Sequence, residues 1–192
     1  MIRLMDIATD WLAAQGRTGQ WGTERPSGRP DRVTTMGAFA ESGGLWVVVD
    51  EGDGKAGPPE AQKESGTDGV LGAICVGQAM PYVEPASQPE LYIRFLITDR
   101  SSTRRGLGGV LLDKSRDLAR AAGVGMLRVD CYAGDDQKLV RWYESQGFQR
   151  AEAFVVQGWP GQVLVQRLGA TGDAEDSIDN SLGLQGAAGV PD

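Results

Sequence analysis

No histidine occurs among the 192 residues of this chain. That absence removes His-activated nucleophiles, imidazole general bases and nearly all zinc catalysis. Cysteine appears only at positions 75 and 131. Two cysteines are too few for a disulfide framework, and their spacing matches no metal site. Both lie in apolar, strand-like runs, so Cys75 and Cys131 are expected as buried, reduced thiols. No apolar run approaches the roughly 18 residues of a membrane span. The first sixteen residues lack the basic start, long apolar stretch and small-residue cleavage site of a secretory signal. A cytoplasmic protein with no membrane partner is the expectation.

Excess positive charge is missing too. Nineteen Lys and Arg against 26 Asp and Glu leave a net charge of −7. A nucleic-acid backbone is repelled by such a chain, so none is expected as a partner. A cationic acceptor suits the charge, although acidity also serves solubility alone.

What is present reads as one domain over 1–168. Residues 5–16 form an amphipathic pattern ended by Gly16, with Ile7, Trp11 and Leu12 on one face. Residues 17–31 read as a loop and 31–41 as a second helix. Strands are expected at 45–49, 69–79, 91–98 and 126–132. The segment 51–68, full of Gly, Pro and charge, reads as a long connection. A helix is expected over 106–122, with Leu107, Val110, Leu111, Ser115, Leu118 and Ala122 inward. Another is expected over 136–146, ended by Gly147. Two closing strands, 150–157 and 162–168, flank an expected turn at Trp159-Pro160-Gly161. From residue 169 onward the composition predicts a disordered acidic tail. The alternation of elements predicts an α/β (α+β) fold with a mixed sheet flanked by helices.

The chemistry begins where the 91–98 strand ends. Arg104-Arg105-Gly106-Leu107-Gly108-Gly109 leads directly into a helix. The first turn of a helix offers unpaired N–H groups and partial positive charge, which suit a diphosphate. Glycines at 106, 108 and 109 let a phosphate approach the backbone, and Arg104 and Arg105 add charge-assisted donors. Glycines in such a turn also serve simply to pack a helix closely. The turn is neither a Walker loop nor a dinucleotide fingerprint, lacking both spacings.

Two further segments extend the pattern. The glycine turn follows an apolar strand, with Thr103-Arg104-Arg105-Gly106-Leu107-Gly108 in an Arg/Gln-x-x-Gly-x-Gly/Ala frame. Farther on, Tyr143-Glu144-Ser145-Gln146-Gly147-Phe148 follows Asp136 by seven residues. Together these resemble the GNAT acetyltransferase superfamily, clearly over about 90–150 and more loosely over 1–89. Thr103 and Asp136 depart from the family's usual Arg/Gln and Asn.

The resemblance implies a GNAT-like, mostly antiparallel sheet and acetyl-CoA as co-substrate. Measured against the resemblance, the family's first strand is expected to be missing ahead of the first helix. By position, the backbone of Leu96, Ile97 and Thr98 would bind the pantetheine arm as an added strand. Residues Arg104, Arg105, Gly106, Leu107, Gly108 and Gly109 would hold the pyrophosphate, with Asp136 nearby. Tyr143 would lie near the thioester sulfur and donate a proton to it. The implied acceptor is an amine of a small molecule or peptide, acetylated by direct attack. A non-catalytic acyl-CoA-binding module of the same fold is the alternative. Relatives form dimers, so a homodimer is compatible with the resemblance.

Several assignments stay open on sequence alone. Tyr143 is also a natural core aromatic, Trp142 beside it reads as packing, and Asp136 is a helix N-cap candidate. Arg94, Asp99 and Arg100 read equally as surface charges. Some relatives place a Glu where Cys131 stands. Asp130, next to it, points to the opposite sheet face. Glu84, Glu90 or a water chain remain as proton acceptors. Trp11, Trp21 and Trp46 fit either an acceptor site or the core.

Overall fold

Apolar runs rich in Val, Ile and Leu, bounded by Gly, Pro or charge, become strands here. The computed structural model describes residues 1–50, 69–101, 106–134 and 136–169. The expected connection at 51–68 and the expected tail beyond Gly169 lie outside the described residues. Two helices come first, α1 (Ile2–Ala14) and α2 (Pro30–Glu41), with a 3-10 turn at Pro26–Gly28 between them. Then follow β1 (Leu45–Val49), β2 (Val70–Gly77), β3 (Leu91–Thr98), α3 (Leu107–Ala121) and β4 (Met126–Tyr132). The order closes with α4 (Lys138–Ser145), β5 (Gln149–Val156) and β6 (Trp159–Arg167). Among the described residues no strand precedes α1.

The six strands make one sheet in the order β1-β2-β3-β4-β6-β5. Every pairing is antiparallel except β3 with β4, the two strands that α3 connects. A parallel pair needs such a crossover, because a tight hairpin cannot join strands running the same way.

Helices cover both faces. One face carries Ile74, Ile93, Leu127, Val129, Cys131 and Leu164, packed on Leu111 and Leu112 of α3 and Val140 and Tyr143 of α4. The other carries Ala73, Cys75 and Ile97, packed on Leu4, Met5 and Ala8 of α1 and Met36 and Phe39 of α2. Strand alternation assigns the faces: in β4, residues 127, 129 and 131 turn to α3 and α4, and 128, 130 and 132 turn away. Burying a Leu such as Leu112, which is 0% exposed, contributes about 2–3 kcal/mol.

Three sequence expectations need correction. The inward stripe of α3 is Leu111, Leu112, Ser115 and Ala119. Val110 is 56% exposed, and Ala122 is exposed as well. At 100° per residue Val110 falls on the side of the helix away from the Leu111, Leu112, Ser115 and Ala119 stripe, so it faces outward. The hairpin turn is Gln157-Gly158, not Trp159-Pro160-Gly161, which begins β6. Both turn residues have positive φ, 50° and 79°, the geometry that matches strand twist in a two-residue hairpin. Finally, α4 starts at Lys138, and its N-cap residue is Gln137.

Candidate active site

The central feature is a gap between β3 and β4. Their parallel pairing covers only Leu91–Leu127, Tyr92–Arg128 and Ile93–Val129. Beyond these the strands separate. The cause sits in β3: Cys75 of β2 pairs with Phe95 and Val76 with Ile93, which leaves Arg94 as an extra residue. Such a bulge bends its strand and ends local pairing. The last β3 residue paired with β4 is Ile93, immediately before it.

The freed edge has a definite polarity. Asp99 N–H donates to the Leu71 carbonyl at 2.7 Å. Backbone groups in an antiparallel ladder alternate sides. Asp99, Ile97 and Phe95 therefore direct their peptide groups at β2, while Leu96 and Thr98 direct theirs into the gap. Of the three residues expected to meet a pantetheine arm, Leu96 and Thr98 present hydrogen-bonding groups there. Ile97 instead buries its side chain beneath α1 and α2.

At the mouth of the gap stands the start of α3. Gly106 caps it with φ of 85°, and a Cβ there would meet nothing within 4 Å. The first helical bond is Val110 N–H to the Gly106 carbonyl. The N–H groups of Leu107, Gly108 and Gly109 are thus free of helical partners. No acidic residue occupies this first turn to compete with an anion. Arg104 and Arg105, the expected side-chain donors, lie outside the described residues. Gly108 has a different task from Gly106: a Cβ on it would stand 2.9 Å from Cζ2 of Trp142. It lets α3 and α4 approach closely. The unpaired β3 edge and the open, uncharged first turn of α3 therefore fit an extended ligand ending in a diphosphate.

Tyr143 projects from α4 into the layer beneath the gap, 4% exposed, edge-on to Trp142 and Phe148. Burial raises its hydroxyl far above the ordinary tyrosine range, with Cys131 and then Asp130 adding to the rise. The sealed side-chain polar atoms without partners among the described residues are Thr9 Oγ1 and Arg94 Nε. Tyr143 Oη likewise makes no hydrogen bond among the described residues. Cys131, on the same face, is pushed up to about 12 by burial and by Asp130. It is a protonated packing group and no nucleophile.

Asp136 is engaged on both sides. Its carboxylate takes Arg17 at 2.6 Å, Lys138 Nζ at 3.3 Å and the Lys138 backbone N–H at 3.1 Å. That backbone bond comes first in holding its pKa below the usual carboxylate range, followed by the Arg17 bond among the lowering causes. The Arg17 contact ties the α1–α2 loop to the start of α4 and offsets the negative charge that the sequence places there. The same loop crosses β4 again: Gly19 lies against the Tyr132 hydroxyl, and the Gln20 carbonyl accepts from Trp159 Nε1 at 3.0 Å.

Other sequence candidates are placed elsewhere. The Glu90 carboxylate pairs with buried Arg128 at 3.2 Å, which engages it away from the gap, and the Glu84 backbone carbonyl accepts from the same guanidinium. Trp46 lies under Lys114 on β1, and Trp11 under Arg100. Trp21 packs against the α1 and α2 layer. Arg94 is half-buried, with its guanidinium 4.6 Å over the Phe39 ring.

Sequence reasoning gave no role to a cluster on the α1 and α2 face. Asp130 accepts from Tyr92 Oη at 2.7 Å and Tyr82 Oη at 3.3 Å. From Tyr82 the rings of Phe154, Trp159 and Tyr132 follow at centroid spacings of 5.4, 6.1 and 5.6 Å. These residues come from the β2–β3 loop and from β3, β4, β5 and β6, and no local motif joins them.

Comparisons with known proteins accord with this geometry. The family profile described as Acetyltransferase (GNAT) family matches residues 15–148. An acetyltransferase from Streptococcus agalactiae superposes with a TM-score of 0.54 at 13% identity, covering 86% of this chain and 90% of that one. A chain from the NatC complex bound to Gag peptide and CoA superposes with a TM-score of 0.51 at 15% identity, covering 71% and 80%. At such identities the likeness is one of fold. No curated protein matches the chain.

Proposed function

The chain belongs to the GNAT family of acetyltransferases, with acetyl-CoA as co-substrate, and from that premise we propose that it acetylates an amine by direct attack in the gap between β3 and β4. The observation that carries the proposal is the end of β3–β4 pairing at Ile93, beside a helix whose first N–H groups are free. The gap takes the arm of the co-substrate, and the α3 terminus takes its diphosphate. Leu96 and Thr98 hold the arm through their peptide groups. Leu107, Gly108 and Gly109 N–H groups hold the phosphates, joined by Arg104 and Arg105.

What the co-substrate supplies is an activated acetyl carbon on sulfur. Tyr143 supplies the hydrogen bond to that sulfur. Its raised pKa keeps it protonated throughout the working range, so it donates a hydrogen bond and passes its proton only as the thiolate leaves. Cys131 has no covalent part, because a thiol with pKa about 12 is not a thiolate near neutrality.

The test is an acceptor screen that detects free CoA thiol, run beside acetyl-CoA binding measured by calorimetry. Binding with release of CoA against an amine supports the proposal. Absence of acetyl-CoA binding refutes it. Tight binding with no release against small amines and peptide N-termini would leave a CoA-binding module in its place.

A further inference from the structure

Asp130 is the first β4 residue beyond the last pair with β3, Ile93–Val129. It stands at the lip of the gap on the face of α1 and α2, opposite the face occupied by Tyr143. No Lys or Arg reaches its carboxylate among the described residues. Its hydrogen-bond donors are the hydroxyls of Tyr92 and Tyr82. A carboxylate with neutral donors alone keeps an unmet preference for a cation.

The surroundings supply the rest of a cation site. Tyr82 is 43% exposed, and Phe154, Trp159 and Tyr132 are each partly exposed. Their rings form a continuous arc beginning at the Asp130 partner Tyr82. Ring faces attract ammonium groups and accept the methylenes beside them. They offer nothing to a carboxylate. Arg94 shares the sheet face, but its guanidinium lies over Phe39.

We infer that Asp130 binds the acceptor's ammonium group and takes its proton, and that the acceptor is an aliphatic primary amine whose carbons next to nitrogen are apolar. This inference rests on the proposed acetyl transfer and names the acceptor class for that same site.

The proton balance is complete. The ammonium nitrogen gives one proton to the Asp130 carboxylate, which becomes a carboxylic acid and later releases the proton to solvent. The freed lone pair forms the bond to the acetyl carbon as the carbon–sulfur bond breaks. The departing sulfur takes the Tyr143 proton, and the second proton lost by nitrogen restores Tyr143. No further reagent is needed.

The electrostatics favour the role. Burial raises the Asp130 pKa, and the two tyrosine bonds oppose the rise without cancelling it. A carboxylate whose pKa is raised is a stronger base than an ordinary one. The groups that face it are Tyr92 of β3 and Tyr82 of the β2–β3 loop. Arg128 of β4 and Arg32 of α2 act on those tyrosines, and Cys131 of β4 and Tyr143 of α4 lie on the far side.

The test compares the full-length protein with Asp130→Asn in three measurements. In the first, n-butylammonium and butyrate are titrated separately while tryptophan fluorescence is followed. Butylammonium alone is expected to bind the wild type, and Asp130→Asn is expected to lose at least tenfold in affinity. In the second, acetyl-CoA affinity is expected to agree within twofold. In the third, kcat/KM for the amine falls about 100-fold or more. The variant's residual rate then climbs with pH as free amine accumulates, and Asp130→Glu restores part of the loss. A raised carboxylate pKa also destabilises the fold at pH above that pKa, so Asp130→Asn is expected to have a higher Tm at pH 7.

Equal affinity of both proteins for butylammonium overturns the inference, as does an unchanged pH profile. Joint loss of acetyl-CoA and amine binding, with a lower Tm, also overturns it by showing a structural role. Failure of the wild type to bind acetyl-CoA, with amine binding intact, would sink the acetyl-transfer reading and leave the ammonium site standing.

Discussion

Replacing Gly108 with alanine separates packing from ligand contact in the glycine turn. The added methyl would lie 2.9 Å from Cζ2 and 3.2 Å from Cη2 of Trp142. Carbon atoms sit comfortably at about 3.5–4 Å, so the indole must retreat by roughly half an ångström or more. Trp142 is held edge-on to Tyr143 at 4.8 Å, which restricts that retreat. Helix preference favours alanine over glycine by about 0.5–1 kcal/mol, less so in the first turn. Overpacking costs about 1–3 kcal/mol. The clash wins, by roughly 1 kcal/mol, and Tm should fall by about 2–4 °C for a chain of this size. Trp142→Phe removes the far ring of the indole, so the double variant should recover most of the loss attributable to Gly108→Ala. The assay is a double-mutant cycle of chemical denaturation, with an expected coupling of about 1 kcal/mol. A rise in Tm for Gly108→Ala alone, or effects that add within about 0.4 kcal/mol, would refute the packing role. Acetyl-CoA affinity of the double variant should stay near that of the wild type, since the methyl meets Trp142.

The other expectations are independent of this one. Tyr143→Phe should lower kcat by about 100-fold while leaving acetyl-CoA affinity and Tm nearly unchanged, because the hydroxyl has no partner to lose; steady-state kinetics with calorimetry reads both. Thr9→Val removes a fully buried hydroxyl without a partner and should raise stability by about 1 kcal/mol, read as a higher denaturation midpoint. A lower midpoint would mean that the hydroxyl is satisfied in solution. Cys131, with pKa about 12, should be thiolate in only about one molecule in ten thousand at pH 8. Native protein should therefore resist iodoacetamide there until it is unfolded, and rapid native labelling would contradict the burial.

The sequence made the frame legible where one signal dominated. Strands β1, β3 and β4 follow apolar, β-branched runs with clear stops, and their bounds coincide with the reading. The glycine turn and the Tyr143 block were legible because both are contiguous. The hairpin at Gln157-Gly158 was missed because Trp159-Pro160-Gly161 carries stronger turn composition. A glutamine with φ of 50° is set by strand pairing, which composition does not reveal. The phase of α3 was misread at Val110 because the inward stripe runs through the adjacent pair Leu111 and Leu112, which turns Val110 outward. The bulge at Arg94, which opens the gap, comes from register between strands and has no residue signature. Alternation correctly sent Asp130 to the face opposite Cys131. Its surroundings were invisible, because Tyr82, Tyr92, Phe154 and Trp159 meet only after folding.

Backbone amide exchange with and without saturating acetyl-CoA addresses the gap most directly. The N–H groups of Leu96 and Thr98 point into it, and that of Ile97 points at β2. Added acetyl-CoA should slow exchange at Leu96, Thr98 and the first turn of α3, beyond any change at Ile97. Bound acetyl-CoA that leaves Leu96, Thr98, Leu107 and Gly109 exchanging as in the free protein would contradict the account.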